Sequence, residues 1–293
     1  NGVPAEGASV FIKGDVTIAS NVNVNNMTIN GGSVTINKDA SLTVEGTLVN
    51  EAAANLVIND GAQIFQNNED VPATFVMGIT KPEEWQSDNK DGWQFISSPF
   101  TNASVFNFTN GNYDLFKYDG DEDLEWQNHK ANAASFGSTF EQGVGYLASH
   151  ETESTIELTG TLNAENYHSW NYLYYNEEKP LANFYLLGNP FTFNMDITKA
   201  TFTNLVEGVA IVNNEGGYSY DVDTIPVGDG FFVQAIAPAN ETYYASLSYG
   251  GRGARSAKSN SLNITATGNA GKDNVVINFA GKSEGFNKLQ NFN

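Results

Sequence analysis

The 293-residue sequence contains no cysteine. This absence excludes disulfide scaffolds, zinc sites built on thiolates and cysteine nucleophiles. Basic residues are scarce as well: 14 Lys and Arg stand against 34 Asp and Glu, for a formal net charge of −20. Nucleic-acid binding needs clustered cations to neutralise phosphates, so that class of partner is excluded. No apolar run approaches the roughly 20 residues of a transmembrane helix.

The sequence is instead rich in amides, glycine and aromatic rings. It has 38 Asn, 28 Gly, 19 Phe, 13 Tyr and 4 Trp. The aromatic residues supply enough apolar material for a folded core. Neither end of the chain carries a recognisable signal. We therefore expect a piece of a longer exported bacterial protein, whose signal peptide was either removed or lies upstream.

Apolar and polar residues alternate with a period of two nearly everywhere, and this pattern predicts an all-β fold. Residues 1–77 contain very short alternating segments separated by Asn-, Asp- and Gly-rich turns. At roughly 20 residues per coil, they predict a short N-terminal β-solenoid, or β-helix-like segment, of about three coils. An antiparallel meander is the alternative for this region.

An internal duplication follows the solenoid segment. Residues 93–101 match residues 184–192 at an offset of 91 positions, and each copy later has a Gly-x-Gly-aromatic segment, at 143–147 and 228–233. Proline at a strand end and paired glycines are structural signals, for strand termination and for a bulge or close backbone approach. We predict a β-sandwich, jelly-roll-like module over residues 78–250, with halves at about 93–183 and 184–250.

The final segment, residues 251–293, is predicted as a linker followed by a partial β module. Residues 250–258 are rich in glycine, small residues and cations, which is typical of a flexible linker. Residues 262–266 and 275–279 are predicted strands, joined through a turn at 271–274.

The duplicated phrases resemble segments of secreted and cell-surface proteins of Bacteroidetes-type bacteria, where they occur in adhesin-like modules beside β-solenoid repeats. The resemblance rests on the strand ending in Pro-Phe and the later Gly-x-Gly-aromatic strand, and it covers residues 93–293, with the first 66 residues similar in style only. It implies an extracellular or cell-surface location and an all-β fold. It implies no catalytic residue, because the shared motifs are prolines, glycines and aromatics.

Catalytic motifs are missing from the sequence. The three histidines, His129, His150 and His168, are far apart, and His150 lacks the second histidine of a zinc-protease motif. The sequence has neither a Gly-x-Ser-x-Gly elbow nor a glycine-rich phosphate loop. We therefore predict that the protein is not an enzyme.

An acidic segment at Asp119, Asp121 and Asp123 is the candidate metal site. Alternating carboxylates in a turn match the oxygen ligands that calcium prefers. The segment is not an EF-hand, because Leu124 and Lys130 replace the required Gly and Glu. The alternative is a solvated acidic turn with no ion.

The candidate ligand-binding residues are Trp170, Tyr172 and Tyr174. In a regular strand they share one face, with Leu173 and Tyr175 on the other, and a row of rings can stack on sugars. Packing between two sheets is the alternative. The same two interpretations apply to Trp85, Trp126, Tyr243 and Tyr244.

Together these features predict a non-catalytic extracellular surface module, an adhesin that binds a glycan or a host or matrix glycoprotein. Two alternatives stay open. The chain is a structural spacer or stalk, or it is an accessory domain of a larger secreted enzyme. An exposed aromatic patch distinguishes the adhesin from the spacer, since a spacer has no need of one.

Overall fold

The computed structural model describes residues 4–5, 7–85, 92–121, 125–152, 154–212, 217–220, 222–238, 244–250, 261–268 and 271–278. It is all-β, with an N-terminal β-solenoid of about three coils followed by antiparallel sheets, which confirms the predicted fold class. Ten strands form the first part: β1 (Ser9–Ile12), β2 (Val16–Ile18), β3 (Val22–Val24), β4 (Asn26–Ile29), β5 (Val34–Ile36), β6 (Ser41–Val44), β7 (Leu48–Asn50), β8 (Leu56–Asn59), β9 (Gln63–Phe65) and β10 (Pro72–Gly78).

The solenoid consists of three coils of three strands each: β1–β3, β4–β6 and β7–β9. Equivalent strands of successive coils pair in parallel, in the orders β1-β4-β7, β2-β5-β8 and β3-β6-β9. A meander would pair its strands antiparallel, so the alternative for this region was wrong. The first coil forms one end of the solenoid. At the other end, β10 pairs in parallel with β8 of the last coil.

Local alternation and in-register stacking explain why these residues form a solenoid. Val34 lies opposite Leu56 and Ile36 opposite Ile58, and all four side chains are buried. Polar side chains form matching ladders outside: the Ser41 hydroxyl donates to Asn21 Oδ1 at 3.0 Å. Each added coil therefore buries apolar surface and adds hydrogen bonds to the coil before it.

The remaining strands form antiparallel sheets. They are β11 (Gln94–Ile96), β12 (Tyr113–Tyr118), β13 (Trp126–Asn128), β14 (Tyr146–His150), β15 (Thr155–Thr161), β16 (Tyr167–Leu173), β17 (Phe184–Gly188), β18 (Met195–Asp196), β19 (Thr201–Thr203), β20 (Ile211–Val212), β21 (Tyr218–Ser219), β22 (Thr224–Ile225), β23 (Gly230–Gln234), β24 (Ala245–Gly250), β25 (Ser261–Gly268) and β26 (Gly271–Asn278). The helix α1 (His129–Phe136) follows β13 directly. The larger antiparallel sheets have the orders β11-β14-β12-β13 and β16-β24-β19, and β15 extends the solenoid sheet through β10.

The two copies of the duplicated sequence have the same local pairing. In the first copy β11 pairs antiparallel with β14, and in the second β17 pairs antiparallel with β23. The copies also contact each other reciprocally. Ile96 at the end of β11 bridges to Asp229 of the second copy, and Leu187 of β17 bridges to Val144 of the first.

Backbone hydrogen bonds repeat this reciprocity. The Ser97 N–H donates to the Gly228 carbonyl at 2.6 Å, and the Gly188 N–H donates to the Gly143 carbonyl at 2.9 Å. Glycine is needed where the backbones of the two copies approach each other, because a Cβ on Gly145 would stand 2.4 Å from the carbonyl oxygen of Leu187. The predicted close backbone approach at the paired glycines is therefore present.

One apolar core runs from the solenoid into the first copy. It joins side chains such as Leu56 and Ile64 to Phe100 and Tyr146. Strand β10 pairs with both the solenoid strand β8 and the later strand β15, so backbone pairing continues across the predicted domain boundary between residues 77 and 78. This boundary and the boundaries of the two halves stay predictions.

The C-terminal part is described only as the hairpin of β25 and β26. Both predicted strands are present, but residues 271–274 belong to the second strand and not to the turn. The predicted linker at 251–258 lies outside the described residues. Within the described part of the chain, no helix is long and apolar enough to cross a membrane.

Candidate functional site

Three exposed tyrosines lie together where β16 ends and β24 begins. Tyr172, Tyr174 and Tyr244 are 66%, 51% and 43% exposed. The Tyr244 ring lies between the other two, with centroid distances of 5.2 Å to Tyr172 and 5.4 Å to Tyr174. Both pairs are edge-to-face, the arrangement that aromatic quadrupoles favour. We call Tyr172, Tyr174 and Tyr244 the tyrosine patch.

A bulge in β16 produces the patch. The pairing of β16 with β24 is regular from Tyr167 to Trp170 and shifts before Leu173. Tyr172 has φ 64°, in the left-handed region that a bulky side chain rarely occupies. Such backbone strain costs about 1–3 kcal/mol and occurs preferentially at functional sites.

The bulge also corrects the predicted distribution of side chains. Alternation placed Trp170 with Tyr172 and put Leu173 on the opposite face. In the structure Trp170 and Leu173 are both buried, each 7% exposed, while Tyr172 points outward. The two-residue alternation was wrong here because the irregularity between Trp170 and Leu173 breaks the register.

Trp170 packs inside the sheet module, apart from the patch. Its Nε1–H donates to the Gly143 carbonyl at 2.7 Å. Its ring contacts Phe231 edge-to-face at 6.0 Å and His168 at 4.6 Å. Burial lowers the pKa of His168. Of the three residues predicted to bind a ligand, the structure therefore brings Tyr172 and Tyr174 together and adds Tyr244, which is distant in sequence.

Hydrogen bonds from neighbouring residues fix the backbone beneath the tyrosine patch. The Tyr185 hydroxyl accepts the Tyr174 N–H at 2.7 Å and donates to the Tyr174 carbonyl at 3.0 Å. The Asn204 amide donates to the Tyr244 carbonyl at 2.9 Å. The rings thus sit on a preorganised support, which lowers the entropic cost of binding.

The predicted metal site lies in the turn after β12. Asp119 and Asp121 are exposed, and Asp123 lies outside the described residues. Asp119 Oδ1 accepts the Asp121 N–H at 3.1 Å. Among the residues that the structure describes, no group of three metal-binding side chains occurs. We call residues 119–121 the acidic turn, and its calcium binding stays a prediction.

An ammonium group binds the acidic turn. Lys179 Nζ lies 2.9 Å from Asp121 Oδ1 and donates to the Asp121 carbonyl at 2.7 Å. The side chains of Lys179 and Asp121 are 54% and 66% exposed, so this ion pair contributes little stability. It does give the turn a mixed set of hydrogen-bond donors and acceptors.

The acidic turn contacts the segment that follows the tyrosine patch. A segment of residues 174–183, here the bridging segment, leads from Tyr174 to the turn. A Cβ on Gly120 would stand 2.0 Å from the Leu181 carbonyl oxygen, so turn and segment touch through their backbones. Burial raises the pKa of Tyr185, and the carboxylates of Asp119 and Asp121 raise it further.

A second group of rings adjoins the acidic turn, which begins directly after Tyr118. Tyr118 and Trp126 meet edge-to-face at 4.9 Å, and Tyr118 meets Phe232 at 4.9 Å. Tyr118 and Trp126 are half-buried, while Phe232 is buried beneath them. The Tyr118 hydroxyl donates to the Leu181 carbonyl at 2.9 Å. We call Tyr118, Trp126 and Phe232 the aromatic junction, because Phe232 comes from the second copy and the other two from the first.

The histidines do not form a common site. His129 Nδ1 lies 2.9 Å from the Tyr113 hydroxyl. His150 is fully buried, with Nε2 2.6 Å from the Asn110 carbonyl oxygen. Burial lowers the pKa of His129, and His168 packs on Trp170.

One acidic residue has an unusual environment. Asp229 lies between the paired glycines of the second copy, and only a small part of the residue reaches solvent. Burial of its carboxyl group raises the pKa to about 7, and the nearby Asp60 carboxylate adds to the effect. No sequence pattern singles out Asp229, because its burial results from the contact between the two copies.

Most of the described region matches a known protein family. The model of the Domain of unknown function (DUF8693) matches residues 1–207. The chain belongs to this family. The DUF8693 match includes Tyr172, Tyr174, the acidic turn and the bridging segment, whereas Tyr244 and Phe232 lie beyond it. No curated protein and no solved structure matches the chain.

Proposed function

We propose that the protein is a non-catalytic extracellular module that binds glycans through the tyrosine patch, as an adhesin of Bacteroidetes-type bacteria does. The observation that carries the proposal is the rigid, exposed group of Tyr172, Tyr174 and Tyr244. Three tyrosine rings in water expose apolar surface that a monomeric fold gains nothing by exposing. Each ring also has a hydroxyl group that can hydrogen-bond to sugar hydroxyls.

The strain at Tyr172 supports this assignment. A glycine or asparagine would adopt a φ of 64° at lower cost, yet a tyrosine occupies the position. The bulge aims its ring at Tyr244 and away from the core. Glycan binding gives the strained conformation a purpose that packing alone does not supply.

The extracellular location is supported by composition and architecture. A net charge of −20 favours solubility, and a stacked solenoid buries a continuous core that needs no cross-links, which is compatible with exposure outside a bacterial cell. The proposal assigns no catalytic residue.

The solenoid supports a second candidate function, that of a structural spacer. Three coils with continuous parallel pairing form a stiff rod segment that can carry another module. This function needs no ligand and gives the tyrosine patch no task.

A glycan and mucin array tests the proposal against the spacer. We expect selective binding by the unchanged chain, and a loss of about tenfold in affinity for Tyr172→Ala and Tyr244→Ala, since each removes one ring of the patch. Tyr167→Ala is the matched control, because Tyr167 lies in the same strand and is 57% exposed but is no member of the patch. Thermal melts establish that all variants are folded.

Two results would contradict glycan binding. A blank array with folded, unchanged protein favours the spacer. Selective binding that survives both patch variants means that a glycan is bound elsewhere, and the patch assignment is then wrong.

A further inference from the structure

The tyrosine patch and the aromatic junction are connected by a continuous stretch of contacts. Tyr185 binds the backbone of Tyr174 at the start of the bridging segment. At its other end, Tyr118 of the junction donates its hydroxyl to the Leu181 carbonyl. The segment between them is itself fixed: Asn183 Oδ1 accepts the Asn176 N–H at 2.5 Å, and the Asn183 amide donates to the Asn176 carbonyl at 3.0 Å.

Polar groups lie between the two sets of rings. Asp119 and Asp121 present carboxylate oxygens, and Lys179 presents an ammonium group beside them. Carboxylates accept and ammonium groups donate hydrogen bonds, so together they match the alternating donor and acceptor character of sugar hydroxyls. The contacts thus run from one set of rings through polar groups to the second set of rings.

The aromatic junction is built to hold its outer ring in place. Trp126 packs edge-to-face on Tyr118 and contacts Phe232 at 6.1 Å. Asp119 and Glu125 flank the pair, and the Asp119 N–H donates to the Glu125 carbonyl at 2.8 Å, which closes the hairpin between β12 and β13. A half-buried Trp held in this way keeps its orientation when a ligand arrives.

We propose that the tyrosine patch, the acidic turn and the aromatic junction form one extended track for a linear, uncharged polysaccharide. The inference rests on the proposed function and adds the class of glycan to it. Two ring platforms separated by polar groups require a ligand with several sugar rings in sequence, since one terminal sugar reaches only one platform. Because carboxylates lie between the platforms in a chain of net charge −20, sulfated and sialylated chains are repelled.

Chain length tests the track. The probe is the neutral polysaccharide bound most tightly among mannan, xylan, laminarin and hydroxyethyl cellulose, cut into oligosaccharides of increasing length. We expect affinity to rise with length until both platforms are occupied, and Trp126→Leu to weaken binding of the long oligosaccharides by about tenfold while leaving the shortest unchanged. Tyr172→Ala is expected to weaken binding of both.

Trp126→Leu keeps an apolar side chain over Phe232 and removes only the aromatic face. If this variant melts early, Lys179→Met replaces it, because Lys179 is exposed and lies between the platforms. Lys179→Met is expected to weaken the binding of long oligosaccharides by about threefold to tenfold, because one charge-assisted hydrogen bond is lost.

Charge selectivity is measured with a matched pair, the bound neutral polysaccharide and its carboxymethylated form. We expect the charged form to bind at least about tenfold more weakly at low salt and the difference to shrink at high salt. Equal or tighter binding of the charged form overturns the inference.

The outcomes separate this inference from the proposed function. If no neutral or charged glycan binds, the proposed function itself fails. If short and long oligosaccharides bind equally and Trp126→Leu changes nothing, glycan binding stands and the extended track is wrong.

Discussion

The hydroxyl group of Tyr185 binds both backbone polar groups of Tyr174, accepting the N–H at 2.7 Å and donating to the carbonyl at 3.0 Å. One side chain thereby replaces the two hydrogen bonds that a neighbouring strand would give. The arrangement fixes Tyr174 just beyond the end of β16, where no ladder pairing supports the chain.

Tyr185→Phe should therefore remove the hydrogen bonds that hold Tyr174 in the tyrosine patch without creating a cavity in the core. The ring stays and only the hydroxyl is lost, so the free energy of unfolding should fall by about 1–3 kcal/mol, the cost of two hydrogen bonds. Glycan affinity should fall with it, because Tyr174 is no longer held. Urea denaturation and affinity electrophoresis measure the two effects. Tyr167→Phe is the control, and equal effects from both substitutions would contradict the role given to Tyr185.

Tyr172→Gly separates stability from binding. Glycine adopts a φ of 64° without the steric cost that tyrosine has, and this gain offsets part of the lost packing. We expect Tyr172→Gly to destabilise the protein by about 1 kcal/mol less than Tyr174→Gly does. Both substitutions should weaken glycan binding by about tenfold, because each removes one ring of the patch. Urea denaturation at one pH gives both free energies of unfolding. An equal or larger cost at Tyr172 would show that its backbone is unstrained.

Asp229 makes stability depend on pH. Its pKa is about 7 in the folded protein against 3.8 in the unfolded chain, so between pH 4 and pH 7 the folded state binds one more proton. The free energy of unfolding therefore decreases as pH rises through this window, by up to about 4 kcal/mol, and the loss is complete above pH 7.

Asp229→Asn removes this ionisation and keeps the shape of the side chain. We expect the variant to be more stable than the unchanged protein at pH 8 and of similar stability at pH 4. Thermal melts from pH 4 to pH 8 measure the difference. The control is Glu207→Gln, at an exposed acid, which should leave the pH dependence unchanged. A variant whose stability declines with pH as steeply as that of the unchanged protein would refute the assignment.

Calcium binding at the acidic turn requires the ion to displace Lys179 from Asp121. We therefore expect calcium to raise the melting temperature more in Lys179→Met than in the unchanged protein, and not at all in Asp121→Asn. Differential scanning fluorimetry with millimolar calcium, and again with a chelator, measures the shift. Should the melting temperature of Lys179→Met stay constant, the turn is a solvated acidic turn, as the alternative interpretation holds.

Local patterns predicted the parts of the fold that depend on local sequence. In the solenoid each coil repeats the same alternation, so Leu56 and Ile58 follow Val34 and Ile36 in register. The duplicated strands and their glycines were also visible. Their reciprocal contact was not, since bridges such as Ile96 to Asp229 depend on how two distant segments are oriented.

The site was only partly predictable for the same reason. Tyr172 and Tyr174 were identified from their sequence, but the bulge that exposes Tyr172 depends on a mismatch with β24. Tyr244 joins them across the sheet, and the acidic turn joins them through Gly120 and Leu181. No spacing rule connects residues so far apart.

The reciprocal contact of the two copies also constrains how the chain folds. The Ser97 hydroxyl donates to the Asp229 carbonyl at 2.9 Å across a separation of 132 residues. A chain made from its N-terminus can complete the solenoid early, but its first copy has an open sheet end until the second copy emerges. Such non-local closure makes folding slow. In a concentrated solution, the second copy of a neighbouring chain can pair with this open sheet end and form a domain-swapped dimer. Refolding at low protein concentration should avoid such dimers.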